Sequence, residues 1–288
     1  MNVDSTALSI VCADGFPLAA TKYSGSHVKA AIMIAPATGI RRGVYDAFAR
    51  HLAASGYGVI VYDNRGIGQS QRGPLKENDA TLVAWGRLDM PAVLERLQDE
   101  FPDVSYHLVG HSAGGQLVGL MPNALALRSM ANVASSSGSV SNMTPLYRMK
   151  AIAFLKYLLP LTARFQGVGR TDLVGMGGPL PAGVALDWRD WCMGQGYVEV
   201  ALLNDPSLHD HLYDALEFPS LWLYATDDDI ANEANVDDMI RVYSRTRAQK
   251  LELEPSAYAK KAIGHMGFFR APDLWPLLTD WLDAQVDA

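Results

Sequence analysis

A serine, a histidine and a carboxylate lie in this chain in an order that could carry acyl transfer. The serine is Ser112, inside Gly110-His111-Ser112-Ala113-Gly114. Such a Gly-x-Ser-x-Gly pentad after a strand and before a helix holds the serine on a sharp, strained turn, and the turn closes only where its neighbours are small. Gly110, Ala113 and Gly114 meet that need. The amide of Ala113, opening the next helix, then points where an oxyanion would develop.

Two rival uses of glycine fail on residue identity. A phosphate-binding loop needs Lys-Ser/Thr where Gln116-Leu117 stand. A dinucleotide fingerprint at Gly66-Ile67-Gly68 would need a third glycine where Gln71 stands.

Taking a proton from a serine requires a base, and the base requires an acid to fix its tautomer. In the strand-serine-helix arrangement both follow the nucleophile, acid first. His265 is the one histidine beyond the last expected strand. His111, beside the serine, is expected to serve packing, and His209-Asp210-His211 to be a solvated loop, with no metal site. The loop after Val133 to Ser135 contains no carboxylate through Ser141, so the acid must come from Asp227-Asp228-Asp229. Asp228 is chosen ahead of Asp227 and Asp229.

The elements that must position these groups alternate. Ala7 to Cys12 and Phe16 to Tyr23 flank an Asp-Gly turn and read as a hairpin. Ala30 to Ala35 and Val59 to Tyr62 read as buried strands, and Tyr106 to Gly110, Ala131 to Ser135, Ser220 to Ala225 and Lys250 to Leu253 as further strands. Helices are expected from Val44 to Gly56, from Thr81 to Glu100 with a break at Pro91, from the serine turn to near Pro122, from Glu233 to Ser244, and over Leu274 to Trp281. This is an α/β protein with a mostly parallel sheet flanked by helices. Between about 139 and 214 the alternation stops, and the segment, with a helix over Met149 to Leu159, is expected to be a mainly helical cap. The organisation expected is core 1–138, cap insertion 139–214, core 215–288.

Composition narrows the partners. The 288 residues carry a net charge of −7 without a basic run longer than two, which excludes a nucleic-acid surface. Two separated cysteines suit a reduced, cytoplasmic protein. No secretory signal is seen at the N-terminus, and no stretch is apolar enough for stable membrane insertion. A small-molecule acyl substrate is expected, no cofactor is required, and self-association as a homodimer is left open.

Taken together, Pro36 to Gly39, Tyr62 to Ser70, Gly110 to Gly115, Ala225 to Ile230 and Gly264-His265 make the chain resemble an α/β-hydrolase over nearly its whole length. It is most similar to bacterial members near the serine-aminopeptidase and monoglyceride-lipase-like branch. The resemblance aligns Asp228 with the catalytic acid and implies an acyl-enzyme mechanism with Ser112 as nucleophile and His265 as base. It implies an oxyanion hole of Ala113 with Thr38, or else Ala37, although Pro36-Ala37-Thr38-Gly39 departs from the family's usual His-Gly. A serine at 112 argues against the dehalogenase and epoxide-hydrolase branches. An apolar substrate pocket is expected from Met149, Phe154, Trp188 and Trp191, with Met193. Ester hydrolysis leads; the same residues would serve a thioesterase, amidase or aminopeptidase, the last needing acids such as Asp187, Asp190 or Glu199 near Ser112. A non-hydrolytic ligand-binding or lyase-like member is the other class.

Overall fold

The computed structural model describes residues 3–286. Strand β1 (Asp4–Val11) and β2 (Pro17–Ser24) form the expected hairpin, and β2 lies antiparallel to β4 (Tyr57–Tyr62). From there β3 (Ala30–Ala35), β5 (Ser105–His111), β6 (Ser129–Val133), β7 (Pro219–Ala225) and β8 (Arg247–Leu253) run parallel, giving the order β1-β2-β4-β3-β5-β6-β7-β8.

The continuous apolar run of β3 follows from this position at the sheet's centre. Strand side chains alternate between faces, so Ala31, Met33 and Ala35 enter one core and Ala30, Ile32 and Ile34 the other. Both faces are covered, so a polar residue would be buried on either side. Helices α1 (Asp46–Ala54) and α8 (Trp275–Val286) seal one face through Phe48, Leu52, Trp275 and Leu278. Helix α2 (Met90–Glu100) and the 139–214 segment pack on the other.

Pro91 breaks its helix as expected, in a specific way. The preceding residues, Trp85–Asp89, form one wider π turn, and Pro91 then falls in the first turn of α2, where its missing N–H costs nothing. Pro160 repeats the pattern: Phe154–Leu158 form a π turn between α4 (Pro145–Ala153) and α5 (Leu159–Gln166).

One helix differs from expectation. After Ser112 the chain makes a single α turn, α3 (Ala113–Gln116), and then a 3₁₀ turn over Val118–Leu120. Gly114, Gly115 and Gly119 disfavour a longer helix. Tertiary partners take the carbonyls that a longer helix would have satisfied: Tyr243 Oη donates to Gly115 O at 2.7 Å and Tyr213 Oη to Gln116 O at 2.7 Å.

Between β6 and β7 the chain is mainly helical, joined by loops and carrying a two-residue ribbon that pairs Val168–Gly169 with Leu180–Pro181. It adds α6 (Ala182–Met193) and α7 (Glu199–Asn204). Asp187 Oδ2 on α6 accepts from Leu82 N at 2.9 Å, tying the segment to the core. Among the described residues no helix is long and apolar enough to cross a membrane.

Candidate active site

Ser112 sits at the tip of β5 with φ 49° and ψ −114°, a conformation that non-glycine residues rarely adopt. The surroundings enforce it. Ser112 N donates to Val133 O at 3.0 Å, and its carbonyl accepts from Gly115 N at 3.0 Å and Ser135 Oγ at 2.9 Å. Gly110 and Gly114 leave the space this needs, since a Cβ on Gly114 would be driven into the Ala35 carbonyl and one on Gly110 into the backbone of Gly115.

The three consecutive aspartates after β7 have three different tasks. Asp228, 4% exposed, accepts from His265 Nδ1 at 2.7 Å through Oδ2, and from Ile230 N and Ala231 N at 2.9 and 3.0 Å through Oδ1. Burial pushes its carboxyl up, but the charge and hydrogen bond of His265 and the two amides outweigh that and hold it below the ordinary value. Asp227 instead accepts from Ile263 N at 3.0 Å and Gly264 N at 2.8 Å, fixing the backbone that carries the histidine. Asp229 Oδ1 accepts from Thr144 Oγ1 at 2.7 Å at the start of α4. For His265, burial works against charge, yet the Asp228 carboxylate prevails and raises its pKa above the ordinary value.

His111 is buried, as expected of a packing residue, but sequence gave no sign of its hydrogen bonds. Its Nε2 meets the His265 carbonyl at 2.9 Å, and a carbonyl only accepts, so Nε2 carries the proton. Its Nδ1 therefore accepts from Tyr45 Oη at 2.8 Å, and Tyr45 Oη in turn accepts from Ala37 N at 3.0 Å. Burial, then the charge of His265, pulls the His111 pKa down to about 3, which keeps the ring neutral in this role. Phe269 packs its ring 4.8 Å from His111 and 4.9 Å from Tyr45. One chain of contacts thus joins the Pro36 to Gly39 loop, the serine turn and the histidine loop. Tyr45 and His111 stand 66 positions apart, so no local pattern could have paired them.

This chain also separates the two loop amides. The Ala37 N–H is occupied by Tyr45, whereas Thr38 N and Ala113 N meet no acceptor among the described residues. Ala37, Thr38, Ser112 and His265 all line one cavity of about 770 Å³. No hydrogen bond within 3.5 Å joins the Ser112 hydroxyl to the His265 ring. Such contacts are often loose without substrate and tighten around it.

Of the expected pocket residues, Phe154 and Trp188 line the cavity and meet edge to face at 5.8 Å. Met149 does not: Tyr147, Lys150 and Ala151 take the inner face of α4, which turns Met149 outward to 66% exposure. Trp191 does not either, being buried against Tyr197 at 5.0 Å while Trp188 and Cys192, one turn apart on α6, face the cavity. Met193 is 41% exposed. The acids once available to an amine-binding pocket are engaged elsewhere: Asp187 with Leu82 N, Asp190 with Arg189, Glu199 with Arg241.

His209-Asp210-His211 forms no metal centre. Asp210 pairs with Arg87 and His209 Nδ1 meets its own turn's Pro206 O at 2.8 Å. Among the described residues no group of three His, Cys, Asp or Glu side chains could hold a metal ion. The conspicuous loop Asp63 to Ser70 is structural: buried Asp89 accepts from Arg65 N at 2.8 Å and Arg65 Nε at 2.6 Å, while Asp63 accepts from Arg42 N at 2.7 Å and Gln69 N at 3.0 Å.

Known proteins share this fold. The family model described as "Serine aminopeptidase, S33" matches residues 26–166, just under half of the chain. No curated protein matches the sequence. Among solved structures, a soluble variant of monoglyceride lipase from Saccharomyces cerevisiae superposes with a TM-score of 0.67 at 13% identity, covering 99% of this chain and 95% of that one. A thermophilic esterase from Thermogutta terrifontis gives 0.60 at 17% identity, covering 97% and 99%. DcsB, solved with its substrate analogue, gives 0.62 at 15% identity, covering 99% of each chain. At these identities the likeness establishes the fold, and the family match over the serine turn agrees with it. By its sheet order, its strand-serine-helix turn and these matches, the chain has the α/β-hydrolase fold.

Proposed function

We propose that the protein is a serine hydrolase that cleaves carboxylic esters through an acyl-enzyme intermediate. The observation that carries this reading is that a strained Ser112, a His265 ring bonded at Nδ1 to buried Asp228, and Thr38, whose amide is unoccupied, meet at one cavity. Asp228 accepts a hydrogen bond from Nδ1–H and fixes that tautomer, so the Nε2 lone pair is free to act as base. Ser112 Oγ attacks the acyl carbonyl as His265 takes its proton. The oxyanion that forms is held by Ala113 N and Thr38 N. His265 then returns the proton to the leaving oxygen, the bond from carbonyl carbon to that oxygen breaks, and water repeats the sequence to release the acid and restore Ser112. Tyr45 engages the Ala37 amide, which favours Thr38 as the loop donor.

The substrate's acyl part is apolar, and Phe154, Leu155 and Trp188 support that. The segment 139–214 acts as a cap over the site. An aminopeptidase is disfavoured, because no Asp or Glu lines the cavity among the described residues and a free amino group would find no partner there. Two free, buried cysteines, Cys12 and Cys192, favour a reducing, cytoplasmic setting. The test is a p-nitrophenyl ester series of increasing acyl length with wild type and Ser112→Ala. Turnover that vanishes in Ser112→Ala supports the reading; equal rates for both proteins contradict it.

A further inference from the structure

The cavity lining is one-sided in charge. Besides His265, its charged residues are Lys150 from α4 and Arg270 from the histidine loop. Met266 and Arg270 also belong to a second, shallower groove of about 510 Å³, walled by Lys260, Lys261, Ile263 and Gly267. The two depressions therefore share a wall. In a chain of net charge −7, the shared rim carries four cations and no carboxylate.

Three of these cations are unspent. Lys260 pairs with Asp273 at 2.9 Å, but Lys150, Lys261 and Arg270 meet no carboxylate among the described residues, and all three are exposed. Acids around the histidine loop are engaged: Asp273 with Lys260, Asp227 with the Ile263 and Gly264 amides, and Glu254 with the Thr226 and Ser256 hydroxyls. Unpaired cations around a catalytic cleft attract anionic substrate, through charge-assisted contacts and a raised local concentration.

The chemistry of the triad says which end of the substrate they face. His265 must deliver its proton to the leaving atom, so the leaving group departs past the histidine loop. The cationic groove is built on that loop, from Lys260 through Arg270. The apolar wall of Phe154, Leu155 and Trp188 remains for the acyl chain. Resting on the serine-hydrolase reading, we propose that the natural substrate is an acyl ester whose leaving group is anionic, carrying a carboxylate or a phosphate that lies along Arg270 and Lys261 with Lys150 at the cavity mouth.

The test uses three butyryl esters that differ only in the leaving group: those of 4-hydroxybenzoate, of 4-hydroxyphenyl phosphate, and of the neutral methyl 4-hydroxybenzoate. With exposed pairs each contributing a few-fold, at least one anionic ester is expected to exceed the neutral one about tenfold in kcat/KM at low salt. The advantage should collapse at roughly 1 M salt. The anionic-to-neutral ratio falls towards one in Arg270→Gln/Lys261→Gln and drops further in Arg270→Glu. Which anion is preferred distinguishes a carboxylate leaving group from a phosphate. Equal kcat/KM on all three esters, or a preference that survives the double variant, overturns the proposal while leaving the hydrolase reading intact. No turnover of any of the three, with Ser112 unreactive, overturns both.

Discussion

Replacing Asp228 by Asn should nearly abolish turnover, while the same change at Asp227 should not. Asp228 uses Oδ1 for the amides of Ile230 and Ala231 and Oδ2 for His265 Nδ1. In Asp228→Asn the two backbone donors fix the amide oxygen in the Oδ1 position, so the NH₂ group faces His265. An NH₂ group donates, so His265 Nδ1 must accept, and its proton moves to Nε2, where the base's lone pair is needed. Loss of the working tautomer in such triads costs about 10⁴ in kcat, or roughly 5.5 kcal/mol of barrier. Asp227 touches only the Ile263 and Gly264 amides, so Asp227→Asn loses one of two acceptors. That is expected to cost about 1–2 kcal/mol of stability and less than about tenfold in kcat. The assay is kcat on p-nitrophenyl butyrate for both variants, with thermal unfolding alongside. An Asp228→Asn rate within tenfold of wild type, or a larger loss in Asp227→Asn, would refute the assignment of the acid.

The rate should fall on acidification as His265 takes a second proton, with the acid limb lying above the usual histidine value because Asp228 raises it. A pH-rate profile in which Asp228→Asn fails to shift that limb downward contradicts the coupling. The pair also couples stability to pH: His265 contributes below its unfolded pKa and loses this as pH rises through its raised folded value, whereas Asp228 contributes above its unfolded pKa and loses this as pH falls through its lowered one. Thermal unfolding of wild type against His265→Gln across pH should show the largest gap between those limits. Tyr45→Phe leaves the Ala37 N–H and His111 Nδ1 buried without partners. It should lower stability by about 2–4 kcal/mol in denaturant titration and reduce kcat more than it raises KM. Gly114→Ala should destabilise by roughly 3 kcal/mol or fail to fold, since the new Cβ meets the Ala35 carbonyl. Trp188→Ala removes the ring facing Phe154, and the acyl-length profile should move to longer chains.

The alternation of elements and the chain order of Ser112, Asp228 and His265 were legible because each rests on a short-range signal. Continuous apolar runs mark strands buried on both faces, and glycines mark the serine turn. What was not legible depends on long-range contact. The carbonyls left by the short turn after Ser112 are satisfied by Tyr213 and Tyr243, 97 and 128 positions downstream of Gln116 and Gly115. Met149 and Trp191 are apolar like Phe154 and Trp188, and only the rotation of α4 and α6 decides which of them meet the cavity. The separate tasks of three adjacent aspartates likewise follow from where the loop turns, because identical neighbours give sequence nothing to distinguish.

Reaction of Ser112 itself tests the central claim most directly. Intact protein treated with a fluorophosphonate should gain a single adduct, mapped to Ser112 by peptide mass spectrometry, in step with complete loss of ester turnover. Ser112→Ala should gain none. Labelling elsewhere, or full Ser112 modification with turnover unchanged, would contradict a nucleophilic Ser112.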